Sequence, residues 1–260
     1  MQEFNNMLQA PNLDIPIVEM NENTAKDIKV IWASVEALAA GWRGNSNIFF
    51  PGMPSNRKEF WGAYHKINPN AELLPVAKEF IESTTGQGKT AIDLGCGHSP
   101  ATKQLLERGW HVIAVDFSKT TLDILASQHK DKIASGQLEL IEADVANYAP
   151  AAPVDLVIAA DSLPYVDPGK FKATWSKIHD VFLKENGFLV GSLFRAHTQP
   201  TDLPIMNLWK EFGAWFLPDR RMVKPLLIHS GYEIKTCKYR IDNPNDEPAC
   251  IQFIAEKKTK

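Results

Sequence analysis

The run Ala91-Ile-Asp-Leu-Gly-Cys-Gly-His-Ser-Pro100 constrains this chain more than any other segment. It reads as a short apolar strand carrying a carboxylate, Asp93, near its end and running at once into a turn built on Gly95 and Gly97. Glycine accepts positive φ and lets the backbone approach a ligand closely. A strand, a glycine turn and a helix in succession form the first loop of nucleotide-binding doubly wound sheets. The carboxylate sets the sign of the ligand. A dinucleotide would bring its diphosphate to a loop where Asp93 repels it, and its G-x-G-x-x-G fingerprint wants glycine where this chain has Pro100. Proline has no NH to donate and crowds the helix–strand contact; at position 100 it instead suits the first residue of a helix capped by Ser99. Cys96, inside the loop, reads as a small packing residue and not as a nucleophile. The loop therefore favours a cationic nucleoside.

Beyond it, strands and helices alternate. His111 to Val115 is a strand running into Asp116, an acid about 20 residues past the glycines, the position that holds ribose hydroxyls in doubly wound folds. Leu138-Glu-Leu-Ile-Glu-Ala leads to Asp144 and Val145, and Val154 to Ala160 is a near-continuous apolar run, as a parallel strand buried on both faces should be. Helices are expected over 101–108, 170–183 and 220–230. The spacing predicts further strands over 187–194, 231–235 and 249–255, with Glu185-Asn186-Gly187 as a helix-to-strand turn and 242–248 as a polar loop. Ahead of the glycine loop, helical patterns span 24–40, 58–67 and 71–83. The expected organisation is a helical extension over residues 1–85 and an α/β domain over 86–260 whose mostly parallel sheet is covered on both faces.

The glycine segment resembles motif I of class I S-adenosylmethionine-dependent methyltransferases, D/E-x-G-x-G-x-G. Asp93, Gly95 and Gly97 match it, and Ser99 stands where the third glycine would be. The later landmarks follow in order, so the resemblance covers roughly residues 85 to 258. It implies a Rossmann-like doubly wound, mostly parallel seven-stranded sheet whose last hairpin strand is antiparallel, with S-adenosylmethionine as cofactor and S-adenosylhomocysteine as product. It also implies the binding residues: Asp93, Gly95, Cys96 and Gly97 in the loop, Asp116 on the ribose and Phe117 flanking the adenine. Asp144 would meet the adenine amino group, with Val145 offering its NH to the ring, while Ala160 and Asp161 would lie at the methionine end.

The loop Asp161-Ser-Leu-Pro-Tyr-Val-Asp-Pro168 has two readings. Ser162-Leu-Pro-Tyr165 is one residue from the N-L-P-Y signature of rRNA adenine dimethyltransferases. Leu163, Tyr165, Val166, Asp167 and Pro168 equally fit a small-molecule pattern, which is preferred because serine does not supply the carbonyl and amide of asparagine. Aromatic residues that would line an acceptor pocket or lid include Trp42, Phe49, Phe50, Trp61, Tyr64, Trp209, Trp215 and Phe216; packing the extension onto the core would use the same residues. If the acceptor needs a general base, the candidates are His65, Asp161, Tyr165 and His197.

A formal net charge of −3 offers no overall attraction to nucleic acid. Three cysteines do not make a disulfide scaffold, and no Cys/His spacing points to a metal. The apolar stretch from Val30 to Trp42 is broken by Ser34 and Glu36 and is too short to span a bilayer, so a cytoplasmic protein is expected. These readings converge on methyl transfer to oxygen, nitrogen or sulfur of a small molecule. The alternatives are an RNA or protein methyltransferase, and a methyltransferase-like protein that binds without turnover.

Overall fold

The computed structural model describes residues 12–14, 32, 61, 65, 72–98, 100–194, 214, 220–240 and 250–259. Within them the strands are β1 (Asn12–Asp14), β2 (Thr90–Leu94), β3 (His111–Asp116), β4 (Leu138–Glu142), β5 (Val154–Ala159), β6 (Leu183–Phe194), β7 (Tyr232–Arg240) and β8 (Cys250–Lys257). They form one sheet in the order β1-β7-β8-β6-β5-β2-β3-β4. The pairs β2/β3, β2/β5, β3/β4 and β5/β6 are parallel, and β8 lies antiparallel between β6 and β7. The seven expected strands are thus present with the final one antiparallel, and the three-residue β1 adds an eighth along the edge of β7.

The helices are α1 (Pro75–Ser83), α2 (Pro100–Glu107), α3 (Lys119–Gln128), α4 (Lys130–Ala134), α5 (Pro168–Lys177) and α6 (Val223–His229). Val76, Phe80, Ala101, Leu105, Leu122 and Leu125 bring α1, α2 and α3 to one face of the sheet. Phe171, Trp175, Val223 and Leu227 bring α5 and α6 to the other. Cover on both faces explains why β2 and β5, apart from Asp93 and Asp155, are apolar without alternation. No helix among the described residues is long and apolar enough to cross a membrane.

Several boundaries differ from the sequence pattern: β7, expected over 231–235, runs on to Arg240, and two differences have a clear local cause. The helix expected from Ala71 starts at Pro75, because a residue before proline avoids the helical region, and Leu74 is extended at φ −51°, ψ 125°. The helix expected to reach Leu183 leaves α geometry after Lys177, widens into a π turn over Ile178–Phe182, and gives way to strand at Leu183. Leu183 pairs with Val154, yet the next pair is Phe188 with Leu156, so residues 184–187 bulge from the sheet. The expected Glu185-Asn186-Gly187 turn survives as that bulge, with Asn186 left-handed at φ 61°. Of the helices expected over 24–40 and 58–67, only Trp32, Trp61 and His65 are described, all helical. The insertion 195–218 is represented by buried Ala214, and the loop 242–248 lies outside the described residues.

Helix α1 is bound into the sheet. The fully buried Gln252 of β8 accepts a hydrogen bond from the Val76 NH at 3.2 Å, satisfying a donor that a helix start leaves open. Phe80 packs on Phe188 of β6 with ring centroids 5.0 Å apart. Truncating this contact in Phe80→Ala should lower stability by about 3–5 kcal/mol, as buried aromatic-to-alanine changes do. Urea denaturation of the full chain checks it, with an unchanged midpoint as the contrary result.

Candidate functional site at the carboxyl edge of the sheet

β2 delivers the glycine loop to the carboxyl edge. Gly95 and Gly97 are left-handed at φ 72° and 51°. The NH groups of Gly95 and Cys96 both donate to the Val115 carbonyl, at 2.8 and 3.0 Å. Asp116, at the end of β3 and 5 % exposed, completes the hold: one carboxylate oxygen accepts from the Gly97 NH at 2.9 Å and the other from the Ser118 NH at 2.8 Å. Ser118 in turn caps α3 by accepting from the Thr121 NH. Phe117, next to Asp116, is half-buried.

Asp93 lies beneath the loop, 2 % exposed, and accepts a hydrogen bond from the Thr102 hydroxyl of α2 at 2.7 Å. Burial pushes its carboxyl up to about 7; the Thr102 hydrogen bond opposes the shift, and the charge of Asp116 adds to it. Cys96 is 1 % exposed, and burial followed by the negative charges of Asp116 and Asp93 pushes its thiol far above the ordinary range. Its side chain packs.

Beyond β4, Asp144 is exposed and organises a turn. Its carboxylate accepts from the Ala146 NH at 2.8 Å, and its carbonyl accepts from Asn147 and Tyr148. Val145 is half-buried against the core. Beyond β5, Ala160 is half-buried and Asp161 is left-handed at φ 52°. The Asp161 NH donates to the Ser192 hydroxyl at 2.9 Å, and that hydroxyl donates back to the Asp161 carboxylate at 2.6 Å. Ser162 then lies against the glycine loop, with its buried hydroxyl lacking a partner among the described residues. A Cβ on Gly95 would come within 2.5 Å of the Ser162 Cβ.

The extension reaches the same loop. A Cβ on Gly97 would fall 2.6 Å from the His65 ring, and the His98 NH donates to His65 Nδ1 at 3.4 Å. Burial, with the charge of His98 adding, holds the His65 imidazole down to about 4, so it is neutral at physiological pH. Trp61, one turn earlier, stacks edge-on against Tyr165 at 4.9 Å, and Tyr165 meets Phe194 at 5.9 Å. The structure thus gathers Asp93, Gly95, Cys96, Gly97, Asp116, His65 and the 161–165 turn around one loop. His197, Ser99, Trp42, Phe49, Phe50, Tyr64, Trp209, Trp215 and Phe216 lie outside the described residues. Sequence reading missed Thr102 and Ser192; the only signal for the latter is a hydroxyl within the apolar run Leu189–Phe194.

Comparison with known proteins places this site in context. Residues 91–187 match the model of a methyltransferase domain. A segment of 78 residues is 35% identical to a probable ribosomal RNA small subunit methyltransferase A from Methanospirillum hungatei, covering 30% of this chain and 29% of that protein. A segment of 121 residues is 24% identical to a ubiquinone biosynthesis O-methyltransferase from Hahella chejuensis, covering 46% of this chain and 51% of that protein. The chain therefore spans about half or less of the length of these curated relatives. Among solved structures, an O-methyltransferase family protein from Burkholderia thailandensis superposes with a TM-score of 0.57 at 15% identity, covering 91% of this chain and 71% of that one.

The electrostatics of Asp93 are open to measurement. Its folded-state value, about 7, lies above the ordinary 3.8, so the native state holds the proton more tightly than the unfolded chain. Its ionisation therefore costs nothing below 3.8, weakens the ligand-free fold progressively as pH rises to about 7, and weakens it no further above that. Asp93→Asn should show a stability advantage over the wild type that grows through this window, by up to about 4 kcal/mol, and then levels off. Urea denaturation of both proteins from pH 4 to 8 checks it; a pH-independent difference would contradict the assignment.

Proposed function

We propose that this chain, whose residues 91–187 match the model of a methyltransferase domain, is a class I S-adenosylmethionine-dependent methyltransferase that transfers a methyl group from S-adenosylmethionine to oxygen, nitrogen or sulfur of a small-molecule acceptor. The observation that carries this reading is the Asp116 clamp. It sets a carboxylate at the end of β3 directly against a left-handed glycine turn, with Phe117 beside it. A ribose needs an acceptor there, and a carboxylate at the end of this strand is one. The acidic surroundings of the loop, Asp93 and Asp116, suit a cationic nucleoside and not a diphosphate.

When bound, the cofactor supplies an electrophilic methyl on a sulfonium, whose charge disperses as the methyl departs. The protein's share is alignment in a dry site, worth on the order of 7–11 kcal/mol. Gly95, Cys96, Gly97, Asp116 and Phe117 would hold the nucleoside. Asp144 and Val145 would border the adenine, and Ala160 and Asp161 the amino-acid end. Among the candidate bases His65 is unprotonated at neutral pH but, with a value of about 4, a weak acceptor; Tyr165 sits among aromatic rings.

The part of the 1–85 extension that carries Trp61 and His65 acts, in this reading, as a lid on the domain that follows, whereas α1 covers the sheet. Support comes from His65 against Gly97 and Trp61 against Tyr165. The aromatic cluster of Trp61, Tyr165 and Phe194 favours a small, planar or apolar acceptor over an open nucleic-acid groove. The likeness to a probable ribosomal RNA methyltransferase favours RNA as the second reading. Against it, the Ser162 hydroxyl is buried beside Gly95 and offers neither the carbonyl nor the amide that the N-L-P-Y pattern supplies.

Calorimetric titration tests the cofactor reading. S-adenosylmethionine and S-adenosylhomocysteine should bind in the micromolar range while NAD does not, and Asp116→Ala should weaken binding by about 10- to 100-fold, the loss of hydrogen bonds to a charged group. A folded protein that binds neither nucleoside, or binds NAD equally, overturns it. Methyl transfer from labelled cofactor to a small-molecule panel and to ribosomal RNA then separates the two acceptors, and binding without transfer to any acceptor identifies a non-catalytic protein.

A further inference from the structure

Asp161, just past the end of β5, is left-handed at φ 52°, a region that L-residues other than glycine seldom enter. The Ser192 hydroxyl holds it there through one atom, accepting from the Asp161 NH at 2.9 Å and donating to the Asp161 carboxylate at 2.6 Å. The Cys250 thiol of β8 approaches the same carboxylate oxygen at 3.7 Å. Both partners stand on β6 and β8, so they draw the carboxylate to the side of β5 away from the glycine loop. The same two strands carry the aromatic wall. Side chains alternate along a strand, so Phe194 shares a face with Ser192, and Phe194 pairs in register with Cys250. The Phe194 ring meets Tyr165 at 5.9 Å, and Tyr165 meets Trp61 at 4.9 Å. Buried Ala214 of the 195–218 insertion belongs to the same cluster as Phe194 and Cys250. Asp161 and Tyr165 are thus the two ends of one short turn. Between them Leu163–Tyr165 is a single 3-10 turn, closed by the Tyr165 NH on the Ser162 carbonyl at 3.0 Å. A rotation at Asp161 is carried into the residues that follow, because the backbone has only two soft dihedrals per residue.

We propose that Ser192 is a positioning residue for the acceptor side of the site: through Asp161 it sets the angle at which the 161–165 turn presents Tyr165 to Trp61 and Phe194, and so the shape of the wall against which a methyl acceptor is held. The inference rests on the reading of those rings as the acceptor wall, given above, and adds to it a fully buried hydroxyl of β6. In the otherwise apolar run Leu189–Phe194 an alanine of nearly the same size would fill the space, but it would leave the Asp161 NH without this acceptor. The glycine loop keeps its own holds, the Val115 carbonyl and the Asp116 carboxylate of β3, when that bond is lost. The expected result of losing the hydroxyl is therefore a displaced aromatic wall beside an intact nucleoside site.

Labelling the full chain with 5-fluorotryptophan makes the Trp61–Tyr165 contact visible by fluorine NMR. The resonances of Trp61, Trp110 and Trp175 are each assigned by their loss in the corresponding Trp→Phe variant, and Tyr165→Ala gives the position of Trp61 without the ring contact. Ser192→Ala should move the Trp61 resonance most of the way to that position. It should leave Trp110 and Trp175, buried on opposite faces of the sheet, unmoved. Calorimetric titration of the same variant with S-adenosylhomocysteine should give an affinity within about threefold of the wild type. If Ser192→Ala does not fold, Asp161→Ala, which removes the carboxylate's bond to Ser192 from a half-buried turn position, takes its place with the same expectation for Trp61. An unmoved Trp61 resonance overturns the proposal. So does a shift of all three resonances, the mark of a merely structural role, and so does a loss of S-adenosylhomocysteine affinity of about tenfold or more, which would assign the hydroxyl to the cofactor side. Failure of the wild type to bind S-adenosylhomocysteine removes the cofactor reading, whereas the Trp61 resonance still decides whether Ser192 sets the turn.

Discussion

The carboxylate of Asp116 is the point on which the site depends. Its two oxygens each take a backbone NH, one from Gly97 across the sheet and one from Ser118 along the chain. With the Val115 carbonyl holding Gly95 and Cys96, the end of β3 provides partners for three consecutive NH groups of the loop. The loop is therefore shaped by a neighbouring strand more than by its own helix. Hydrogen bonds to a charged acceptor are worth about 1.5–3 kcal/mol each, enough to keep two left-handed residues in place. The same bonds help to offset the burial of the carboxylate, which would otherwise be costly.

A second acid under the loop behaves differently because its surroundings differ. Asp93 meets only Thr102, through its hydroxyl and its backbone NH, and sits deeper, so burial dominates and its carboxyl rises to about 7, helped by the charge of Asp116. The pair gives the edge of the sheet an acidic character that answers to ligand charge. A cation settling nearby would favour the ionised form of Asp93, and an anion would meet both acids at once. This is why the glycine pattern alone does not decide the ligand class, whereas the glycine pattern together with its acids does.

Much of this architecture is written in local pattern. A strand buried on both faces is near-continuously apolar, which marks Val154–Ala159 with Asp155 as its one polar residue, and the acid that ends β3 sits at a separation set by one strand–turn–helix–strand unit. What local pattern does not carry is register. Ser192 meets Asp161 across 31 residues, and His65 meets the loop across 33; each pairing depends on how distant segments are offset, which no single segment encodes. The late start of α1 follows from Pro75, whose preceding residue avoids the helical region, although the apolar pattern runs on to earlier residues. The early start of β6 has no such signal, since strand pairing at Leu183 is separated from the rest by a bulge that looks, in sequence, like an ordinary turn.

The two loop glycines turn out to be required by protein as much as by ligand. A side chain at Gly95 would collide with Ser162 of the turn after β5, and one at Gly97 with His65 of the N-terminal segment. Both neighbours belong to the parts of the chain from which an acceptor pocket would be built, for Ser162 continues into Tyr165 and His65 lies one turn from Trp61, and those two rings touch. The glycine loop is thus sandwiched between them, with no spare layer of side chains. The missing Cβ atoms are what allow the turn after β5 and the His65 side chain to approach the glycine loop so closely.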